Sequence, residues 1–168
     1  TIVPREQSMG GTQQIPQEEK YLYSEPYLMD RLSVMLAGRA AEELVFGSFT
    51  NGAENDLREA TRIARKMVQD WGMSNKLGAF AAGGEQPNVF LGEQLSKRRD
   101  HSEDTARTID AEIMETLSSA YERARDTLDE RRDRLDELAD ALLEEEQLSA
   151  EQVAEILNGS GSQTDESA

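Results

Sequence analysis

The chain has 168 residues, of which 34 are acidic and 18 are basic, so its formal net charge is −16. A protein with this charge repels nucleic-acid phosphates, which argues against a nucleic-acid-binding function. The sequence has one histidine and no cysteine, which excludes disulfides and a zinc site built only from its own imidazoles and thiolates. Only 5% of the residues are aromatic and 31% are charged, and helix-forming types are abundant, so we expect a mainly α protein.

The first twenty residues are rich in Gly, Gln and Pro and show no helical periodicity. Residues 1–3 and 11–15 are candidates for short strands, which predicts a small β element near the N-terminus. No apolar run reaches the roughly 18 residues of a membrane span, and the first residues lack the features of a signal peptide. Because the sequence does not begin with Met, we expect a fragment or a processed chain.

A first helix is predicted to begin after Ser24, which can cap it, with Pro26 in its first turn. It should end at Phe46, with Gly47 as the residue after its C-terminus. Gly38 interrupts this helix, and its missing side chain would let another backbone approach closely. The apolar positions recur at helical spacing and are Leu28, Leu32, Met35, Leu36, Ala40 and Leu44.

A second helix is predicted to open at Asn51, which would form a capping box with Glu54, and to end at Gly72. Its apolar stripe consists of Leu57, Ala60, Ala64, Met67, Val68 and Trp71. Residues 73–95 carry turn signals around two short apolar patches, one of them at residues 89–91. This stretch is expected to be a loop or a hairpin.

A long helix is predicted to start near Ser102, followed by apolar residues in a seven-residue pattern. These residues are Met114, Leu117, Tyr121, Ala124, Leu128, Leu135, Leu138 and Leu142. The pattern fails at Arg131, which predicts a corner between two antiparallel helices rather than one long rod. We favour an intramolecular hairpin for this pattern, and an oligomerisation seam is the alternative.

A short last helix should begin at Ser149 with a capping box to Gln152 and stop at Gly159. The polar residues beyond it lack the apolar content of a packed segment, so a disordered tail is expected. The predicted organisation is therefore one domain over residues 1–158 and a tail over residues 159–168.

Three features bear on chemistry. His101 has no second histidine or cysteine to share a metal with, so we favour a surface or loop role over a dyad with Ser102 or Asp104. Asp56 lies in the first turn of the second helix beside its apolar stripe, where it could face a cleft. From physics alone, an interaction with the helix dipole is the simpler role for Asp56. The acidic run at residues 144–146 is interpreted as a solvated helix end.

Several segments, in order along the chain, together resemble the peptidase domain of the FtsH family of ATP-dependent zinc metalloproteases. They are residues 35–47 (MLAGRAAEELVFG), 50–57 (TNGAENDL), 61–68 (TRIARKMV), 71–78 (WGMSNKLG), 89–92 (VFLG) and 102–110 (SEDTARTID). Residues 1–5 and 21–24 also have counterparts, so the resemblance extends over nearly everything before the tail.

The resemblance implies a zinc site that is shared with an upstream helix. In that family H-E-x-x-H supplies two histidine ligands and the general-base glutamate, which we therefore expect upstream of Thr1. The third ligand is the aspartate that corresponds to Asp56, so the resemblance implies a metal role for Asp56. The implied fold is a mainly α helical bundle with a small β element near the N-terminus, beside the metal.

This sequence contains no H-E-x-x-H, so the chain alone is expected neither to bind catalytic zinc nor to hydrolyse peptides, and it contains no catalytic residue of its own. The resemblance further implies an upstream ATP-binding module, a hexameric ring, misfolded and membrane proteins as substrates, and a place at the cytoplasmic face of the inner membrane. The membrane anchor would lie outside these residues. The alternative is a non-catalytic helical assembly or interaction module derived from that fold.

Overall fold

The computed structural model describes residues 1–4, 10–12, 22–81 and 101–159. These residues form five α-helices and one short 3-10 turn, Asn51–Ala53, and contain no strand. The helices are α1 (Glu25–Phe46), α2 (Glu54–Gln69), α3 (Glu103–Glu130), α4 (Arg132–Glu145) and α5 (Ala150–Asn158). The mainly α fold is confirmed, whereas the small N-terminal β element is not shown. At that place Thr1 and Gly11 exchange two backbone hydrogen bonds, of 3.0 and 3.2 Å, without forming a strand.

The chain divides into two units, residues 21–127 and residues 1–20 with 128–168. The first unit contains α1, α2 and nearly all of α3. Its hydrophobic core joins one face of each helix through the buried side chains Leu28, Leu32, Leu36, Ala60, Ile63, Ala64, Met67, Val68, Ile109, Ile113 and Ala120. Burial of these apolar faces is the main force that holds the three helices together, because short helices are marginal in water without such packing.

The bounds of α1 follow the sequence signals. Ser24 occupies the N-cap position, but its side chain makes no capping hydrogen bond. Pro26 lies in the first turn, and Gly47 has a left-handed conformation with φ 65°. The backbone N–H of Gly47 donates to the carbonyl of Glu43 at 2.9 Å, which closes the last turn.

Gly38 lies in the middle of α1 in a helical conformation. No described atom lies within 4 Å of the place that a Cβ would take there. The close backbone approach expected at Gly38 is therefore not made by the described residues. A glycine inside a helix costs about 1 kcal/mol relative to alanine, and neither φ nor a neighbour in the described chain requires it here.

Two sequence expectations about helix ends and faces were wrong. Helix α2 ends at Gln69, not at Gly72, which instead takes φ 62° in the following turn. Met114 is 70% exposed, whereas Ile109 and Ile113 are buried. The seven-residue pattern includes Met114 because it lies seven residues before Tyr121, but a 3.6-residue helix drifts off a seven-residue spacing.

The second unit contains α4 and α5. The helix break is at Arg131, as predicted, because α3 ends at Glu130 and α4 begins at Arg132. The capping box of Ser149 and Gln152 is present, with hydrogen bonds of 2.8 and 3.3 Å. None of the side chains of α4 and α5 is fully buried, and Leu135, Leu138 and Leu142 are half-buried. The antiparallel hairpin stays a prediction.

Glu146 ends α4 in a left-handed conformation, with φ 59°. Its carbonyl accepts hydrogen bonds from the Ile2 N–H at 2.9 Å and from the Thr1 hydroxyl at 3.1 Å. Within the residues that the structure describes, no helix is both long enough and apolar enough to cross a bilayer. Residues 89–91 and the predicted tail from 160 onward lie outside the described residues.

Candidate metal centre

Asp56 lies in the first turn of α2, on the side of the helix that packs into the core. It precedes Ala60 by four residues and Ile63 by seven, and both of these side chains are buried. Asp56 itself is exposed, because the described neighbours cover the core face only from Ala60 onward. The Asp56 carboxylate therefore lies in line with the buried side chains of α2, at the end of that line, where no described residue covers it.

The turn that carries Asp56 is tied to α1 by a glutamate. The backbone N–H of Thr50 donates to Glu42 Oε2 at 2.8 Å, and the Thr50 hydroxyl donates to Glu42 Oε1 at 2.6 Å. The Thr50 hydroxyl also accepts from the Gly52 N–H at 3.2 Å. Glu42 therefore fixes the start of the 3-10 turn from which α2 continues.

The capping box predicted for Asn51 and Glu54 is not formed. Thr50 caps the 3-10 turn instead, and Ala53 precedes α2 without a side-chain cap. Glu54 pairs with Arg58 at 2.6 Å on the helix surface. The prediction failed because Thr50 also has a hydroxyl that can cap, and Glu42 orients that hydroxyl from a separate helix.

The electrostatics at the start of this turn favour the ionised form of Glu42. The two hydrogen bonds from Thr50 hold the pKa of the Glu42 carboxyl below its usual value, and the charge of Arg39 acts in the same direction. The Arg39 guanidinium lies 3.7 Å from the centre of the Phe49 ring, a cation–π contact just before the turn.

The described residues do not bring three potential metal ligands together anywhere. Asp56 is thus not part of a three-ligand group formed by the described residues. His101 lies directly before α3, half-buried, and its Nδ1 is shielded from solvent without a hydrogen-bond partner among the described residues. Ser102 caps α3 by accepting from the Thr105 N–H at 3.2 Å. This bond assigns the Ser102 hydroxyl to a cap.

A second polar cluster ties the loop after α2 to α3. Ser74 is buried and donates to Glu112 Oε2 at 2.6 Å, while Lys76 Nζ lies 2.7 Å from Glu112 Oε1. The Ser74 hydroxyl also accepts from the Leu77 N–H at 3.1 Å. Hydrogen bonds from Lys76 and then Ser74 lower the pKa of Glu112, and the pKa of Lys76 is raised by Glu112 and Glu115.

A groove of about 320 Å³ lies between α1, α2 and α3. At its wall the Tyr121 hydroxyl donates to Glu43 Oε2 at 2.6 Å. Burial, and then the hydrogen bond to Glu43, raise the pKa of Tyr121. The lining residues are Leu36, Arg39, Glu43, Phe49, Leu57, Thr61, Leu117, Ser118 and Tyr121.

The model of the family described as peptidase family M41 matches residues 1–156. The chain belongs to peptidase family M41. Among similar proteins, the M41 chain is 49% identical over 159 residues to ATP-dependent zinc metalloprotease FtsH 2 of Salinibacter ruber. It is 48% identical over 156 residues to ATP-dependent zinc metalloprotease FtsH of Nitrosococcus oceani, and 48% identical over 157 residues to FtsH 4 of Sphaerobacter thermophilus.

These alignments cover 95%, 93% and 94% of the M41 chain but only 23%, 24% and 24% of the relatives. The chain therefore spans about a quarter of the length of the proteins it matches. Its relationship to zinc metalloproteases is established over this quarter.

The family resemblance singled out Asp56 as a candidate, but sequence reasoning missed the residues that hold its turn. Glu42 lies within the quoted segment 35–47, yet its partner Thr50 comes after a glycine turn, and no helical spacing links the two. Ser74 and Glu112 are 38 residues apart, so only the packed structure shows that they meet. The one available signal was Glu112, because a carboxylate on the buried side of a helix needs a partner.

Proposed function

We propose that this M41 chain supplies the third zinc ligand, Asp56, of a metalloendopeptidase whose other ligands lie in an upstream segment. The observation that carries the proposal is the uncovered carboxylate of Asp56 at the end of a buried helix face, on a turn fixed by Glu42 and Thr50. We expect H-E-x-x-H upstream to provide two histidines and the general-base glutamate.

The chemistry of Asp56 fits a zinc ligand. A carboxylate oxygen is an accepted zinc donor, and three protein ligands leave one position open at a catalytic zinc. When bound, zinc acts as a Lewis acid and lowers the pKa of the water molecule that it holds. Asp56 holds one coordination position, and Glu42 with Thr50 restricts where that carboxylate can be. One carboxylate does not hold zinc alone, so we expect the isolated chain to be inactive.

The wider function follows from the same family membership. We propose that the complete protein is ATP-dependent, with its nucleotide bound in a module outside this chain, and that it degrades misfolded and membrane proteins. We further propose that it works as a hexameric ring at the cytoplasmic face of the inner membrane, held there by an anchor outside these residues.

A second candidate is a non-catalytic helical assembly module with the same fold. The groove between α1, α2 and α3 favours it, because Phe49, Leu57 and Leu117 offer an apolar surface to a partner. Metal content separates the two functions, since only the protease requires Asp56 to hold zinc.

The test uses the longer protein that contains this chain, purified without added chelator. Asp56→Asn should lower zinc content from one ion per chain and lower proteolysis of an unfolded protein at least tenfold, while ATP hydrolysis continues. Glu54→Gln is the matched control, because Glu54 lies in the same first turn and pairs with Arg58 instead. The control should keep both zinc and proteolysis.

Two results would contradict the proposal. Full zinc content and proteolysis in Asp56→Asn would leave Asp56 with only a helix-dipole role. One tightly held zinc per chain in the isolated 168-residue protein would show that the chain has a complete site of its own.

A further inference from the structure

Arg39 on α1 has two glutamates at the spacings that normally give an ion pair, yet it pairs with neither. Glu42 and Glu43 follow it by three and four residues, where a helix places charged side chains next to each other. Glu42 instead accepts from Thr50, and Glu43 accepts from the Tyr121 hydroxyl at 2.6 Å. Within the described residues Arg39 therefore has no ion pair, although acidic residues outnumber basic ones by 34 to 18.

The Arg39 guanidinium is held by an aromatic ring and not by an anion. Its central carbon lies 3.7 Å from the centre of the Phe49 ring, so the ring covers one face of the guanidinium. A guanidinium has five N–H donors in its plane, and stacking on a ring leaves these donors free. Because Arg39 is only half-buried, its donors can reach a ligand from outside the chain.

Arg39 lines the groove of about 320 Å³ between α1, α2 and α3, whose lining residues all belong to the first unit. This volume is within the range of pockets that hold small ligands. The walls near the guanidinium are apolar: Phe49 is 47% exposed, Leu57 is 36% exposed, and Leu117 is half-buried. One unpaired cation beside an apolar surface suits a ligand that has a carboxylate next to an apolar group.

Hydrogen-bond acceptors in the same groove select among such ligands. Glu43 uses Oε2 for the Tyr121 hydroxyl, and its Oε1 accepts no hydrogen bond from the described chain. The Thr61 hydroxyl donates to the carbonyl of Leu57 at 2.7 Å, so its oxygen can still accept. A peptide has backbone N–H groups to donate to these oxygens, whereas a fatty acid has none. The groove therefore fits the end of a peptide better than a lipid.

We propose that this groove binds the C-terminal end of a peptide whose last side chain is apolar. The Arg39 guanidinium donates to the terminal carboxylate, a pairing that allows two parallel hydrogen bonds. The apolar walls cover the last side chain, and the oxygens of Glu43 and Thr61 accept from backbone N–H groups. This site goes beyond the proposed function and does not depend on the metal role of Asp56.

Fluorescence anisotropy on the longer protein measures the binding, with a chelator present so that the peptide is not cut. The probe is a labelled hexapeptide with uncharged side chains that ends in leucine and has a free carboxylate. A C-terminal amide should weaken binding at least tenfold, and so should a last residue of serine in place of leucine. Octanoate, which has the carboxylate and the apolar chain but no N–H, should displace the peptide only in large excess.

Substitution of the cation tests the assignment of the carboxylate. Arg39→Gln should weaken binding of the free-carboxylate peptide at least tenfold and leave binding of the amide peptide unchanged. Arg65→Gln is the matched control, because Arg65 is exposed on α2 and does not line the groove. It should bind both peptides as the parent protein does.

Maleimide labelling locates the peptide without changing Arg39, so it stays decisive even where Arg39→Gln does not fold. The chain has no native cysteine. Ser118→Cys places a thiol in the groove lining, and Ser119→Cys places one next to it, outside the lining. In the longer protein without other cysteines, saturating peptide should slow labelling at position 118 at least fivefold and leave position 119 unchanged.

Four results would overturn the proposal. The first two are equal affinities for the carboxylate and amide peptides, and an unchanged affinity in Arg39→Gln. Displacement by octanoate at equal concentration would assign the groove to a lipid carboxylate instead. Slow labelling at position 118 before peptide is added would show that another part of the longer protein, or a second copy, already fills the groove.

Discussion

Thr50 donates two hydrogen bonds to Glu42, one to each carboxylate oxygen, at 2.8 Å from its backbone N–H and 2.6 Å from its hydroxyl. This pair joins α1 to the turn that opens α2. Two backbone N–H groups are held in this way. Glu42 accepts from the Thr50 N–H, and the Thr50 hydroxyl accepts from the Gly52 N–H. The start of α2, and with it Asp56, is therefore determined by a residue of another helix.

Loss of the Thr50 hydroxyl should loosen this turn. We expect Thr50→Val to lower the free energy of unfolding by about 1 kcal/mol, as for a lost N-cap, while Thr50→Ser keeps the hydroxyl and most of the stability. Urea denaturation followed by the fluorescence of Trp71 measures both variants. Equal stability of the valine and serine variants would show that the backbone N–H alone holds the turn.

The pH dependence of Glu42 has a definite sign. Its pKa is lowered in the folded state, so the stability it contributes is complete above the usual value of 4.5 and is lost as the pH falls through the lowered folded pKa. Glu42→Gln should remove this part of the acid dependence. The measurement is the urea midpoint of the parent chain and of Glu42→Gln between pH 7 and pH 3. A difference in midpoint that stays constant across that range would contradict the lowered pKa of Glu42.

Gly38→Ala tests whether the middle of α1 needs a glycine in the 168-residue chain. In the 168-residue chain, Gly38→Ala should raise the free energy of unfolding by up to about 1 kcal/mol, because alanine restricts the unfolded chain and no described atom lies near the new methyl group. Thermal unfolding of the chain measures the gain. A loss of stability would mean that the space above Gly38 is already filled.

The bounds of α1 and α5 were predictable from sequence because their signals are local. Pro26, Gly47 and the capping box of Ser149 with Gln152 lie within a few residues of the helix ends. The break at Arg131 was also found, since a charged residue stood where the pattern required an apolar one. These features need no knowledge of tertiary contacts.

What failed depended on contacts between distant residues. The start of α2 was misplaced because Glu42, on α1, orients Thr50. The exposed Met114 was taken for a core residue because the apolar spacing alone does not say which face meets α1 and α2. The metal role proposed for Asp56 rests on the family resemblance and stays a prediction, since spacing alone favoured a dipole role.

Tyr121 should titrate apart from ordinary tyrosines. Burial and the hydrogen bond to Glu43 raise its pKa, so its stabilising contribution is complete below the usual value of 10.0 and is lost as the pH rises through the folded pKa. The chain has four tyrosines, whose ionisation can be followed by ultraviolet absorbance as the pH rises. Tyr121→Phe should remove the part of the absorbance change that occurs at the highest pH. An unchanged titration curve would show that the hydroxyl is not held by Glu43.

The buried cluster on α3 makes the sharpest stability prediction. Glu112 is 9% exposed and is bonded to Ser74 and Lys76, so Glu112→Gln should lower the free energy of unfolding at pH 7 by about 1–3 kcal/mol. Glu115→Gln is the control, because Glu115 contacts the same lysine from an exposed position.

The sign of the pH effect follows from the lowered pKa of Glu112. The difference between the parent chain and Glu112→Gln should be complete above pH 4.5 and shrink as the pH falls through the lowered folded pKa, where both side chains are neutral. Ser74→Ala combined with Glu112→Gln should cost less than the sum of the two single changes, because the first removes and the second weakens the same hydrogen bond. Strictly additive costs would mean that Ser74 is needed only for its bond to Leu77, and that Glu112 is held by Lys76 alone.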